Sequence, residues 1–123
     1  MAEKSLEATV RRASGVAVID LRGEINSFAE ETLNTAYHEA AAGNGDAVLL
    51  NFSGVDYINS TGIALIVGLL AQARKTGHRL LTCGLSDHYR ELFQITRLAD
   101  FMSMYPDEAS AIAGAPTRAA ADS

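Results

Sequence analysis

Cysteine occurs once in these 123 residues, at Cys83. A single thiol excludes an internal disulfide framework and any zinc site built from several thiolates. Positive charge is also scarce. Lys and Arg total 10 against 15 Asp and Glu, a formal net charge of −5. Nucleic acid requires a basic surface to meet its phosphates, so direct nucleic-acid binding is not expected. Long hydrophobic runs are missing: Ile63 to Ala71, with Gly68 inside it, falls far short of the ~20 residues of a membrane span. The opening Met1-Ala2-Glu3-Lys4-Ser5 has no basic segment leading into an apolar core, as a signal peptide would. The reading is a cytoplasmic domain with no membrane association.

Catalytic signatures are equally thin. No Gly-x-Gly-x-x-Gly opens a helix and no phosphate-loop Gly-Lys-Ser/Thr occurs. His38, His78 and His88 show no His-x-x-x-His spacing and sit by no carboxylate cluster, so each reads as a solvated helix or loop histidine. Ser86-Asp87-His88 places three triad residue types side by side, but a triad is assembled from separate segments. Ser86 is better read as a helix cap. Cys83 has no basic neighbour placed by sequence to lower its pKa and reads as an inert buried thiol. No enzyme, metal site or cofactor is expected.

What is present is an ordinary globular composition, 48% apolar and 20% charged, of one domain's length. Leu6 to Arg12 and Val16 to Arg22 read as strands joined by Ala13-Ser14-Gly15, a hairpin, with Gly23 breaking the second. Along that strand Val16, Val18 and Asp20 share one face, and Ala17, Ile19 and Leu21 the other. Ser27 and Glu30 form a capping-box pattern before a helix whose stripe is Ala29, Leu33, Ala36, Tyr37 and Ala40. Gly43-Asn44-Gly45 ends it. Ala47 to Phe52 is apolar on both faces, as a central parallel strand is. After a turn at Ser53-Gly54, Val55 to Thr61 leads into a helix from about Gly62 to Thr76, closed by Gly77. Arg79 to Cys83 reads as a strand and Asp87 to Thr96 as a helix burying Leu92, Phe93 and Ile95. Phe101 to Tyr105 is a last strand, and Pro106 opens a final helix. The expected fold is α/β: a mixed, mostly parallel sheet with an N-terminal hairpin edge and about four helices. Residues 5–113 form the domain, and 114–123 an Ala-rich flexible tail.

The informative stretch is Asp56-Tyr57-Ile58-Asn59-Ser60-Thr61-Gly62. It lies at the carboxyl end of a buried parallel strand, where open α/β sheets carry function. Two hydroxyls stand at a helix start, where backbone N–H groups are unpaired and the dipole is positive. Ser60 or Thr61 can serve as N-cap. Ser60 can also accept a phosphate, whose charge of roughly −2 is stabilised there. Local chemistry leaves both open.

In these same segments the chain resembles the STAS domain family, and within it the bacterial anti-sigma factor antagonists. Leu21-Arg22-Gly23-Glu24-Ile25-Asn26 is similar to the family's Gly-Glu-Leu/Ile-Asp strand end. Leu49-Leu50-Asn51-Phe52-Ser53-Gly54-Val55 resembles its Asp-Leu-Ser-Gly-Val strand and turn. Ile58-Asn59-Ser60-Thr61-Gly62 resembles its Asp-Ser-Ser/Thr-Gly switch, and Leu92 to Leu98 its late helix. The resemblance implies a partner switch. The unphosphorylated domain binds an anti-sigma factor serine kinase. Phosphorylation of Ser60, with Thr61 as second choice, releases it, and a serine phosphatase reverses the step. Asn26, Tyr57, Ile58, Asn59, Thr61, Gly62 and Ile63 are the implied partner-binding residues. Asn26, Asn51 and Asn59 stand where the family often has Asp, each removing a negative charge. Two other readings of the family stay open: a scaffold or ligand-sensing module that is never phosphorylated, and the cytosolic subunit of a transport system.

Overall fold

A computed structural model describes residues 5–43 and 47–114. The strands are β1 (Glu7–Ala13), β2 (Val16–Ile25), β3 (Ala47–Ile58), β4 (Arg79–Cys83) and β5 (Ser103–Tyr105). The helices are α1 (Glu30–Ala41), α2 (Ser60–Thr76), α3 (Asp87–Ile95) and α4 (Glu108–Gly114), with a single 3-10 turn at Leu98–Asp100. The sheet order is β1-β2-β3-β4-β5. Only β1 and β2 run antiparallel; the other pairs are parallel. The expected mixed sheet with a hairpin edge is therefore the observed one. Ser14 and Gly15 both take positive φ, 52° and 83°, the two-residue turn whose twist suits a hairpin.

Alternation along the strands separates two cores. Ala17, Ile19 and Leu21 of β2 and Val48, Leu50 and Phe52 of β3 pack beneath α1, α2 and α3. Val16, Val18, Ala47, Leu49, Leu81 and Cys83 face the other way and meet Ala111 and Ile112 of α4. Three helices thus cover one face and one short helix the other, which is why β3 must be apolar on both sides.

Several local expectations are corrected. Gly23 does not end β2: at φ 109° it carries the strand on to Ile25, and a Cβ there would strike the Ser5 backbone. Ser53-Gly54 is not a turn but part of continuous β3. Register shifts against β2 absorb extra residues there, so the turn-like residues mark bulges. Ser27 does not cap α1, whose N-cap is Ala29 without a side-chain bond. Asn26 supplies the turn instead: its Oδ1 accepts from the Phe28 N–H at 2.9 Å and its carbonyl from the Ala29 N–H at 3.0 Å. Nor does a left-handed glycine end α1. The Arg12 guanidinium, reaching over from β1, donates to the Ala40 and Glu39 carbonyls at 2.9 and 3.2 Å, and Asn44 and Gly45 lie outside the described residues. Pro106 precedes α4, with Asp107 accepting from the Ser110 N–H at 2.8 Å. In α3 only Phe93 is buried; Leu92 is half-buried and Ile95 is 69% exposed. Gly114 closes α4, and the rest of the expected tail, 115–123, lies outside the described residues.

Candidate functional site

Parallel β2 and β3 end side by side, with Glu24 opposite Tyr57 and Ile25 opposite Ile58. Their carboxyl ends bring Asn26 and the Asn59–Gly62 segment to one edge of the sheet. Chain direction changes sharply at Asn59, whose backbone is extended (φ −92°, ψ −177°) while Ser60 is already helical. The Asn59 N–H still donates to the Ile25 carbonyl at 3.2 Å, a last sheet-like bond. Its side-chain Oδ1 accepts from the Gly62 N–H at 2.8 Å. Asn59 is therefore the N-cap of α2, which corrects the assignment of that role to Ser60 or Thr61.

With the preceding residue as cap, neither hydroxyl is bonded to a partner among the described residues. Ser60 and Thr61 are both exposed, in the first turn of a 17-residue helix with no acidic residue in that turn. The Ile63 N–H begins the intrahelical ladder by donating to the Asn59 carbonyl at 2.9 Å. The Ser60 and Thr61 N–H groups precede that ladder and belong to the positive end of the helix dipole.

The remaining implied contact residues divide by burial. Tyr57 is 50% exposed and Asn59 half-buried, beside exposed Thr61. Ile58 is 4% exposed and Asn26 8%. Gly62 is buried, and Ile63 packs against the core from a partly buried position. Ile58, Gly62 and Ile63 thus hold the segment from beneath. A Cβ on Gly62 would lie 2.8 Å from the Ile25 carbonyl carbon and closer still to its oxygen. Glycine is what lets the first turn of α2 sit on the end of β2.

Two residues at this edge escaped the sequence reading. Phe28, in the turn after β2, is 74% exposed, against the default that a Phe goes inside. Tyr89 of α3 turns its hydroxyl to β3, where the oxygen accepts from the Ile58 N–H at 3.0 Å. That bond ties α3 to the last strand residue before the Asn59–Gly62 segment. An aromatic hydroxyl in the first turn of a helix gives no sequence signal of such reach.

Asn26, Asn51 and Asn59 are each engaged. Asn51 donates through Nδ2 to Asp20 at 2.9 Å, while its Oδ1 accepts from the Ser53 N–H and hydroxyl at 3.1 and 2.7 Å. Asn26 donates to Glu24 at 3.5 Å. Asn59 is the cap. Arg11 hydrogen-bonds Asp20 and, with help from the Asn51 amide, holds its carboxyl below the usual carboxylate range against the opposing effect of burial. Cys83 is 1% exposed, and desolvation pushes its thiol up to about 11, which makes it a poor nucleophile at neutral pH. No group of three His, Cys, Asp or Glu side chains able to hold a metal occurs among the described residues, and no helix among them is long and apolar enough to cross a membrane.

Comparison with known proteins gives a consistent result. A sequence model of the STAS domain matches residues 7–111. An anti-sigma-B factor antagonist of Listeria monocytogenes is 29% identical over 86 residues, 70% of this chain and 75% of the relative. Among solved structures, an anti-sigma factor antagonist from Mycobacterium paratuberculosis superposes with a TM-score of 0.77 at 20% identity, covering 90% of this chain and 94% of its own. The Bacillus cell-fate determinant SpoIIAA in its phosphorylated form superposes with a TM-score of 0.63 at 22% identity, covering 84% and 95%.

Proposed function

The chain belongs to the STAS domain family, and on that premise we propose that it is an anti-sigma factor antagonist switched by phosphorylation at Ser60. The observation that carries this reading is the exposed Ser60 hydroxyl in the first turn of α2, freed from capping by Asn59. An acceptor hydroxyl must reach into a kinase site, and one bound as a helix cap would first have to let go. The antagonism itself is supported by the relatives, which carry that name, and a phosphorylated form is described for SpoIIAA.

In this reading the unphosphorylated chain binds an anti-sigma factor serine kinase through the sheet edge around α2. Tyr57, Asn59, Ser60 and Thr61 offer the accessible surface, and Phe28 extends it. Ile58, Gly62 and Ile63 set the backbone, and Asn26 shapes the turn beside it. A phosphate on Ser60 adds roughly −2 charge to a chain already at −5. The helix N-terminus tolerates that charge, but a partly apolar interface must desolvate it, so the partner is released. A serine phosphatase restores binding. Residues 5–113 form the working unit, in the cytoplasm, and no step of this cycle requires the chain to act as an enzyme.

Intact-mass analysis with site mapping of protein from its own cells, combined with binding assays on two variants, tests the reading. Ser60→Ala retains the kinase partner, while Ser60→Asp loses at least about tenfold in affinity, and the native protein carries one phosphate, on Ser60. Equal binding by the two variants, with an unmodified chain across growth and stress conditions, refutes the switch and leaves the unphosphorylated scaffold.

A further inference from the structure

At the opposite end of α2 from Ser60 lies a cleft of about 410 Å³ that the switch does not use. Ser60 and Arg74 are fourteen residues apart on this helix, about 21 Å at 1.5 Å per residue. The cleft opens between the last turns of α2, the start of β4, and the segment that leads from the 3-10 turn into β5. Ala73, Leu80 and Met102, at 1%, 4% and 6% exposure, provide an apolar base. Phe101, 52% exposed, forms a flat wall.

Charge at this cleft runs against that of the chain as a whole. Arg74 lines it with its guanidinium carbon 5.1 Å from the Phe101 ring centroid, and makes no ion pair among the described residues. Most other arginines are committed: Arg11 to Asp20 and Glu108, Arg22 to Glu7, Arg90 to Asp87. Arg79 and His78 also line the cleft, the imidazole Nδ1 meeting the Thr76 hydroxyl at 2.9 Å. The one acid in the lining, Asp100, is paired with Arg97 at 2.7 Å. The C-terminal end of α2 opposes an anion through its dipole. There, however, the Ala73 and Arg74 carbonyls already accept the His78 and Gly77 N–H groups at 2.8 and 3.4 Å, and Arg74 and Lys75 place positive charge on the last turn.

We propose that this cleft binds a small organic anion with a flat aromatic body, its ring on the apolar base beside Phe101 and its carboxylate on Arg74. The volume falls within the usual range of ligand clefts. A planar guanidinium that meets the aromatic ring through its central carbon has N–H groups at its edges for a carboxylate. The proposal does not rest on phosphorylation at Ser60 and would survive its failure.

Indole-3-acetate is a suitable probe, because the chain contains no Trp and indole emission reads the ligand alone. Fluorescence anisotropy should report saturable binding, with amide NMR shifts confined to Ala73, Arg74, Leu80 and residues 99–103. Neutral indole-3-acetamide should bind at least about tenfold more weakly, as loss of a charge-assisted contact predicts. Arg74→Gln should cost a similar factor and Arg74→Lys less, each variant being checked for an unchanged melting transition. Ser60→Asp should bind the probe as the parent does. No saturation at millimolar probe, equal affinity for acid and amide, or shifts centred elsewhere would each overturn the assignment. Should Arg74→Gln disturb folding, the acid-to-amide ratio on the unaltered chain decides alone.

Discussion

Asn51 spends its carbonyl oxygen on Ser53 and its amide on Asp20, so the two ends of one side chain do different work. An aspartate there would keep the acceptor and lose the donor, setting a carboxylate against the Asp20 oxygen now 2.9 Å away. A neutral amide at position 51 thus suits the carboxylate it faces. Asn51→Asp should destabilise the fold at neutral pH by roughly 1 kcal/mol, a modest figure because Asp20 is partly exposed and screened. The new pair would raise a carboxyl pKa in the folded state. The penalty is therefore full at neutral pH and shrinks as pH falls through that raised value, where the two groups share a proton. Urea unfolding of both proteins at pH 7 and pH 4.5 checks this: the gap should narrow at the lower pH.

Helix α2 shows how an element is placed by what one residue lacks. Its first turn rests on the end of β2 at Gly62, where a Cβ would collide with the Ile25 carbonyl. On the same helix Gly68 has nothing within 4 Å of an added Cβ. Helix propensity alone predicts that alanine at either site stabilises by about 0.8–1.0 kcal/mol. Packing reverses the sign at the first: Gly62→Ala should destabilise by about 1–3 kcal/mol as β2 and α2 are forced apart. Gly68→Ala should raise stability by up to the propensity gain. Thermal melts of the two single variants separate the effects, and loss of binding to the proposed kinase partner in Gly62→Ala alone would tie the seating of α2 to the proposed switch.

Across the whole molecule, the second face of the sheet depends on α4, a helix of seven residues. Arg11 in β1 anchors it from 97 positions away in sequence, donating to Glu108 at 2.9 Å and to Asp20 at 2.5 Å. The Asp20 carboxyl is held below its ordinary value of 3.8 chiefly by the hydrogen bond from Arg11. A depressed carboxyl contributes stability above its unfolded pKa and loses it as pH falls through the folded one. Arg11→Met should therefore lower stability at pH 7 by under about 1 kcal/mol, the pair being exposed. The difference from the parent should fade below pH 3.8. Amide exchange across 108–114 should quicken in the variant, and unchanged exchange would show that Ala111 and Ile112 hold α4 unaided.

Most of the fold was legible in sequence because its signals are short-ranged. The two-sided apolarity of Ala47–Phe52, the alternation in β2 and the Ser86 and Gly77 caps each come from a few adjacent side chains. They suffice to order the elements. The candidate segment, hydroxyls between a buried strand and a helix, was also visible there, and α2 does begin at Ser60. What sequence could not decide depends on contacts between distant segments. Asn59 caps α2 because β3 runs on through its bulges to Ile58, and so Ser60 is left free. Arg12 ends α1 from another strand, Tyr89 grips β3 from another helix, and Phe28 is left outside. Burial of a polar or aromatic side chain is settled by which partner arrives, and that information exists only once the chain has closed on itself.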